Sequence, residues 1–163
     1  MSRVDRPLRV AVVGAARATQ DDYGVARALG WALARAGAVV VCGGHGGVME
    51  AAALGAVQAG GLTIGILPGA DADAANPWIL VPIATGMGEA RNALLVRAAE
   101  AVLAVGGSWG TLSEIALAKK MGLDVGLLGS PPAQALGLPA LAGPEAAAEW
   151  ALERARERRK GHE

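Results

Sequence analysis

The chain has 163 residues and no net charge, and apolar residues make up 53% of it against 18% charged residues. This length and composition predict a single folded domain over residues 1–163 and exclude a disordered chain. The balanced charge provides no basic surface for nucleic acid or for an anionic membrane. The single cysteine, Cys42, excludes an intrachain disulfide framework and favours a reducing, cytoplasmic compartment.

Short apolar runs alternate with helical patterns along the chain, and a glycine turn follows most of the runs. The runs predict six strands, the fourth of them at a sheet edge, over residues 8–13, 38–42, 62–67, 78–83, 101–105 and 125–128. Helical patterns cover residues 21–36, 48–59, 87–100, 112–121 and 145–160, the last being a terminal helix. Asp21 and Asp22 offer the N-cap of the first helix.

The remaining segments are predicted from composition and charge. Residues 70–77 and 130–144 are predicted loops. The arginines of the terminal helix alternate with glutamates, which predicts a solvated face for positions 154, 156, 158 and 159. Glycine and proline interrupt both uncharged stretches, 51–70 and 125–144, so no transmembrane segment is predicted.

The predicted strands are continuous apolar runs without alternation, so both faces of their sheet must be covered. Helices between the strands then predict an α/β, Rossmann-like fold, which is a doubly wound parallel sheet with helices on both faces. In such folds ligands bind at the carboxyl ends of the strands. The glycine turns of this chain are predicted to lie at those ends.

Several common cofactor motifs are absent. The first turn, residues 14–19, does not match GxGxxG, and no glycine loop is followed by Lys and Ser or Thr, which excludes the dinucleotide fingerprint and the P-loop. Lys119 and Lys120 end a helix, where solvated cations are expected, so a pyridoxal cofactor held as a Schiff base is not predicted. Cys42 and His45 lack a companion pair of metal ligands, so no metal site is predicted: Cys42 fits a small buried strand residue, and His45 could donate to an anion.

Two glycine-rich loops, residues 43–47 and 106–110, precede predicted helices at strand carboxyl ends. Glycine lets backbone N–H groups approach an anion, and a helix N-terminus adds about half a positive charge. One such loop could be only a tight turn, but two in one small domain favour a phosphate or carboxylate ligand. The predicted ligand-binding residues are Gly14, Gly44, Gly46, Gly47, Gly106, Gly107, Ser108, Trp109, Gly110 and Thr111.

Three charged residues stand on apolar helix faces or at helix starts. Arg91 shares a face with apolar residues three, four and seven positions later, where an arginine either binds an anion or snorkels at the helix end. Glu114 either contacts a ligand or closes a capping box with Thr111 as the N-cap. Glu50, just after the first glycine loop, is either a first-turn carboxylate favoured by the helix dipole or a ligand contact.

Residues 106–114, GGSWGTLSE, resemble the PGGxGTxxE signature of the LOG superfamily, which includes cytokinin-activating phosphoribohydrolases and many sequences mislabelled as lysine decarboxylases. The resemblance covers nearly the whole chain. Residues 43–50 (GGHGGVME), 76–77, 85–86 and 106–118 look closest to the branch of small bacterial proteins similar to the algal molybdenum-cofactor carrier protein. The resemblance implies that Arg91 and Glu114 are the catalytic residues, because they occupy the matching places, and that no metal is needed.

Three positions depart from the pattern of the enzymes in this family. Val105 stands in place of the proline of the motif, Asn92 in place of a lysine, and Ser113 in place of a second glutamate. The first change concerns only the backbone. The other two remove charges from the ligand side of the predicted site.

The resemblance leaves two functions open. In the first, the protein binds an AMP-like nucleotide and hydrolyses its N-glycosidic bond to free base and ribose 5-phosphate, with Glu114 acting on the ribose and the attacking water. In the alternative, it is a non-catalytic carrier or sensor that holds molybdopterin or a nucleotide by its phosphate. Either way the expected partner is a small phosphate ligand, and similar proteins imply a homodimer or larger homo-oligomer. Trp109 either covers the ring of the ligand or packs between subunits.

Overall fold

Six parallel strands form one sheet in the computed structural model, which describes residues 6–129 and 136–162. The strands are β1 (Arg9–Gly14), β2 (Val39–Cys42), β3 (Thr63–Leu67), β4 (Val81–Ala84), β5 (Ala101–Val105) and β6 (Val125–Leu128). Their order across the sheet is β4-β3-β2-β1-β5-β6. In this register Val10 of β1 lies between Val40 of β2 and Ala101 of β5.

Five α-helices cover the two faces of the sheet within the described ranges. They are α1 (Gln20–Arg35), α2 (Val48–Gln58), α3 (Arg91–Ala98), α4 (Trp109–Lys120) and α5 (Pro144–Lys160). One face carries α1, α2 and α5, and the other carries α3 and α4. Val10 and Val12 are buried under the first layer, and Ala11 and Val13 under the second, which is why the strands show no polar alternation. The predicted α/β, doubly wound fold is confirmed.

Two predicted helix starts are wrong. Thr19, rather than Asp21 or Asp22, caps α1, since its Oγ1 accepts a hydrogen bond from the Asp22 N–H at 3.1 Å. The helix predicted from residue 112 begins at 109, with Ser108 at the N-cap and its N–H donating to Thr111 Oγ1 at 3.3 Å. Thr111 therefore lies inside the first turn of α4 and is not its N-cap.

The helix predicted over residues 87–100 is divided and shortened. A 3-10 helix, Gly88–Ala90, precedes α3. Glu100 lies beyond the helix because its N–H donates to the Arg9 carbonyl at 2.8 Å, and its carboxylate contacts the Arg159 guanidinium at 2.7 Å. Arg159 is thereby largely buried, so the prediction of a solvated face on the terminal helix is wrong at this position.

The fourth strand lies at the edge of the sheet, as predicted, but it starts later. The Trp78 carbonyl accepts a hydrogen bond from Thr63 Oγ1, and the Leu80 N–H donates to the same hydroxyl, so the chain joins the sheet only from Val81. All four residues of β4 are exposed. Of the predicted loop 130–144, residues 130–135 lie outside the described part.

None of the helices in the described ranges has the length and apolar character needed to cross a bilayer.

Candidate functional site

The carboxyl ends of β1 and β5 frame an open cleft. The strand order reverses between these two strands, and this switch point is where doubly wound sheets bind ligands. The cleft has a volume of about 390 Å³. Its walls come from the end of β1, the turn before α2, the start of α3 and the first turns of α4.

The structure brings seven of the residues predicted for the site together along this cleft. They are Gly14, Arg91, Ser108, Trp109, Gly110, Thr111 and Glu114. The other five predicted glycines are not among the residues that line the cleft, and they allow close contacts within the chain. Gly47, for example, has a φ of +63° and lies against the Ala15 and Ala16 backbone, and Gly106 has a φ of +55° and lies against the Asp22 carboxylate. Gly44, Gly46 and Gly107 likewise have chain atoms next to them.

Arg91, the first residue of α3, reaches across the ends of two strands. Its Nη1 donates to the Gly43 carbonyl at 2.8 Å and to the Ile66 carbonyl at 2.6 Å. Its Nε is buried without a hydrogen-bond partner among the described residues. Burial lowers the pKa of Arg91 from its usual value, and the negative charge of Glu114 opposes that shift. The guanidinium is thus fixed in place by the backbone with a donor still unsatisfied.

Glu114 lies in the second turn of α4 with only 7% of its surface exposed. Its side chain has no hydrogen bond and no ion pair within the described part of the chain. Burial raises its pKa to about 7, although the nearby Arg91 charge works in the opposite direction. Because the capping pair of α4 is Ser108 and Thr111, the capping interpretation of Glu114 is wrong.

The N-terminus of α4 presents its first turn to the cleft. Ser108 is the N-cap, and the first backbone N–H groups of a helix have no partner within the helix. A side chain at Gly110 would meet nothing within 4 Å, so this position opens onto free space. Trp109 is 86% exposed at the rim. The turn therefore combines free donors, the positive end of a helix dipole and an uncovered aromatic ring.

The first glycine loop is held by a residue from a distant turn. Asn76 Nδ2 donates to the His45 carbonyl at 2.8 Å and to the Gly44 carbonyl at 3.3 Å. Glu50, in the first turn of α2, accepts a hydrogen bond from the Tyr23 hydroxyl at 3.2 Å. This contact and its position at the helix start fit the first-turn interpretation of Glu50, and the residue does not line the cleft.

The cleft also contains residues that the sequence analysis noticed but did not include in the predicted ligand-binding set. Asn92 is only 8% exposed and its side chain makes no hydrogen bond within the described ranges. Its position after Arg91, where the related enzymes have a lysine, was the available signal. His45 also lines the cleft, and burial together with the Arg91 charge lowers its pKa, which favours the neutral imidazole. Four further residues line the cleft, and no sequence pattern had pointed to them as ligand contacts: Ala16, Met49, Pro68 and Glu89.

Cys42 is fully buried at the end of β2, close enough to Arg91 to feel its charge. Burial raises the pKa of its thiol to about 11, so the thiol stays protonated and is not a nucleophile at neutral pH. The interpretation of Cys42 as a small buried strand residue is confirmed.

The parallel sheet, with a cleft at the point where its strand order reverses, defines an α/β protein of the Rossmann-like class. A family model described as the SLOG cluster4 family matches residues 7–149, so the chain belongs to that family. The resemblance to LOG-type proteins inferred from residues 106–114 is confirmed.

Similar proteins match most of the chain. An uncharacterized protein from Archaeoglobus fulgidus is 40% identical over 145 residues, which is 89% of this chain and 95% of that protein. The molybdenum cofactor binding protein from Rippkaea orientalis is 36% identical, with a TM-score of 0.87 over 91% of this chain and 98% of that one. The molybdenum cofactor carrier protein from Chlamydomonas reinhardtii is 32% identical, with a TM-score of 0.82 and the same coverage.

Proposed function

We propose that the protein binds molybdenum cofactor in the cleft and carries it without chemical turnover. Likeness to two molybdenum-cofactor-binding proteins over nine-tenths of the chain supports this function above the others. This likeness favours the non-catalytic carrier, which the sequence analysis left open as the alternative, over nucleotide hydrolysis. The cofactor is cargo in this proposal, held through its pterin and phosphate groups.

The residues of the cleft fit such a cargo. The unpaired N–H groups at the start of α4 are suited to a phosphate, and the fixed Arg91 guanidinium adds a positive charge. Asn92, buried without a side-chain partner in the described part, supplies donors and an acceptor to a polar ring. The exposed Trp109 provides a flat apolar surface to cover a pterin.

Hydrolysis of a nucleoside 5′-monophosphate is the second candidate function, and one observation favours it. Arg91 and Glu114 line the same cleft, and Glu114 has a pKa of about 7, which suits a group that exchanges a proton near neutral pH. In this scheme Glu114 activates water at the ribose and Arg91 orients it. Asn92 and Ser113 lack the charges that the related enzymes carry, which weakens this candidate.

Thermal unfolding and product analysis distinguish the two functions. We expect molybdenum cofactor, added under anaerobic conditions, to raise the melting temperature, because a ligand at 100 times its Kd stabilises the native state by about 2.7 kcal/mol. We expect no free base when the protein is incubated with AMP and other nucleoside monophosphates. Release of base by the wild type, absent in Glu114→Gln, would establish a hydrolase, and no thermal shift with the cofactor would contradict the carrier function.

We also propose that the protein is a homo-oligomer whose interface includes β4. Strands of a parallel sheet are normally covered on both faces, yet every residue of β4 is exposed, including Val81 (39%) and Ile83 (44%). Leu80 and Met87 extend this apolar surface. A second copy covering β4 would remove the apolar area from water and protect an open strand edge.

Substitution of Ile83 by arginine tests this interface. We expect wild-type protein to elute as a dimer or larger assembly and Ile83→Arg to elute as a folded monomer, measured by gel filtration with light scattering. Trp31→Arg, on α1 away from β4, is the control, since Trp31 is similarly exposed. Assembly that is lost in the control and kept in Ile83→Arg would place the interface on α1 instead.

A further inference from the structure

The amino ends of β1 and β5 border a second pocket, at the opposite end of the strands from the cleft. Along β1, five residue steps of about 3.3 Å separate the two ends, roughly 17 Å. The pocket has a volume of about 260 Å³. Five arginines and one carboxylate line it: Arg6, Arg9, Arg97, Arg158, Arg159 and Glu100.

The carboxylate is already saturated by its neighbours. Arg159 donates to both oxygens of Glu100, from Nε at 2.8 Å and from Nη2 at 2.9 Å, in a forked pair. The Arg9 N–H donates to Glu100 Oε2 at 2.8 Å, and the Arg9 guanidinium lies 3.6 Å from Oε1. Glu100 therefore cannot neutralise the other arginines of the pocket.

The pocket keeps a large excess of positive charge. Its lining carries four more positive than negative side chains, whereas the whole chain has no net charge. The C-termini of α3 and α5 lie here with Arg97 and Arg158 in their last turns, and each contributes only about half a negative charge. Arg6 and Arg97 are exposed and have no carboxylate partner within the described ranges.

We propose that this pocket binds the diphosphate group of a small anion. Arg158 donates to the Gly122 carbonyl and Arg159 to Glu100, so their guanidinium groups add charge to the pocket but few free donors. The guanidinium groups of Arg6, Arg9 and Arg97 supply the donors that match the closely spaced oxygens of a diphosphate. The volume lies below the range of about 300–1,000 Å³ typical of pockets for whole drug-sized ligands, so it fits the anionic group and leaves no room for a base or pterin. The site is separate from the cleft and does not depend on the proposed carrier function.

Titration calorimetry with inorganic diphosphate at low ionic strength tests the site, using paired variants. Arg6→Gln combined with Arg97→Gln removes two charges from the pocket, and neither side chain has a bond to lose within the described part. Arg35→Gln combined with Arg156→Gln removes the same charge from exposed positions on α1 and α5. We expect the first pair to weaken diphosphate binding roughly tenfold or more and the second pair to weaken it less than about twofold.

Three results would overturn the site: no binding by the wild type, equal weakening in both pairs, which would show diffuse attraction only, or no weakening in either, which would place the anion elsewhere. ADP serves as a second probe in the same variants. Sensitivity of ADP binding to the first pair would show that a terminal diphosphate on a larger molecule is accepted. If the first pair weakens the binding of diphosphate but neither pair weakens the binding of ADP, the pocket accepts only the free anion.

Discussion

Replacing Gly110 by glutamate is expected to weaken the binding of a phosphate ligand roughly 100-fold while leaving the fold intact. A side chain at Gly110 meets open space beside the first turn of α4, so the substitution causes no clash. A carboxylate there repels an anion and occupies its place at the helix N-terminus, which we expect to cost about 2–3 kcal/mol, or roughly 100-fold in Kd. The same carboxylate stabilises the helix, because acidic residues are favourable in a first turn.

Gly24→Glu is the matched control for this variant. Gly24 is also exposed, also lies in an α-helix and also has nothing within 4 Å of its missing Cβ. Both variants are expected to gain helix propensity, about 0.5–1 kcal/mol relative to glycine. Cofactor affinity measured by fluorescence titration under anaerobic conditions should fall only in Gly110→Glu. Undiminished binding in Gly110→Glu would remove the α4 N-terminus from the site.

Glu114 is expected to make the stability of the protein fall as pH rises from about 4.5 to 7. Its folded-state pKa of about 7 lies above its ordinary value of 4.5. Below pH 4.5 the carboxyl group is neutral in both the folded and the unfolded state, so its ionisation does not change the unfolding free energy. Between the two values only the unfolded state ionises, so stability is lost progressively, and above pH 7 the loss is complete at about 3 kcal/mol.

The comparison that measures this effect is wild type against Glu114→Gln in chemical denaturation at pH 5 and pH 8. We expect the difference in unfolding free energy between the two proteins to shift by about 2.5 kcal/mol in favour of Glu114→Gln at the higher pH. Glu149→Gln, an exposed carboxylate on α5, controls for the loss of one charge. Parallel pH profiles for wild type and Glu114→Gln would show that water or a counter-charge already stabilises the ionised form.

Much of the fold follows from local sequence patterns. Continuous apolar runs predict buried parallel strands because both faces of each strand need apolar side chains, and five of the six strands match closely. The first residue of α4 could not be predicted from the sequence, because Ser108 and Thr111 are both favourable N-cap residues and lie only three positions apart. Glu100 was wrongly predicted to be helical, because the residues that hold it outside the helix, Arg9 and Arg159, are distant in sequence and give no local signal.

The candidate site was likewise predicted only in part from the sequence. Arg91 and Glu114 could be predicted because a charged side chain on an apolar helix face needs a partner of opposite charge or a ligand. The structure places both residues in one cleft. It could not reveal that Arg91 donates to the Gly43 and Ile66 carbonyls, because those contacts depend on how two strands end side by side. Asn92 was noticed only as a departure from a pattern, and its burial is a tertiary property.

Anaerobic gel filtration of the wild-type protein with molybdenum cofactor tests the central claim most directly. Molybdenum and pterin are quantified in the protein fractions and in the small-molecule fractions. A carrier predicts that both elute with the protein in equal, stoichiometric amounts and that the recovered pterin is chemically unchanged. Cofactor recovered only in the small-molecule fractions, or altered during the incubation, would contradict it.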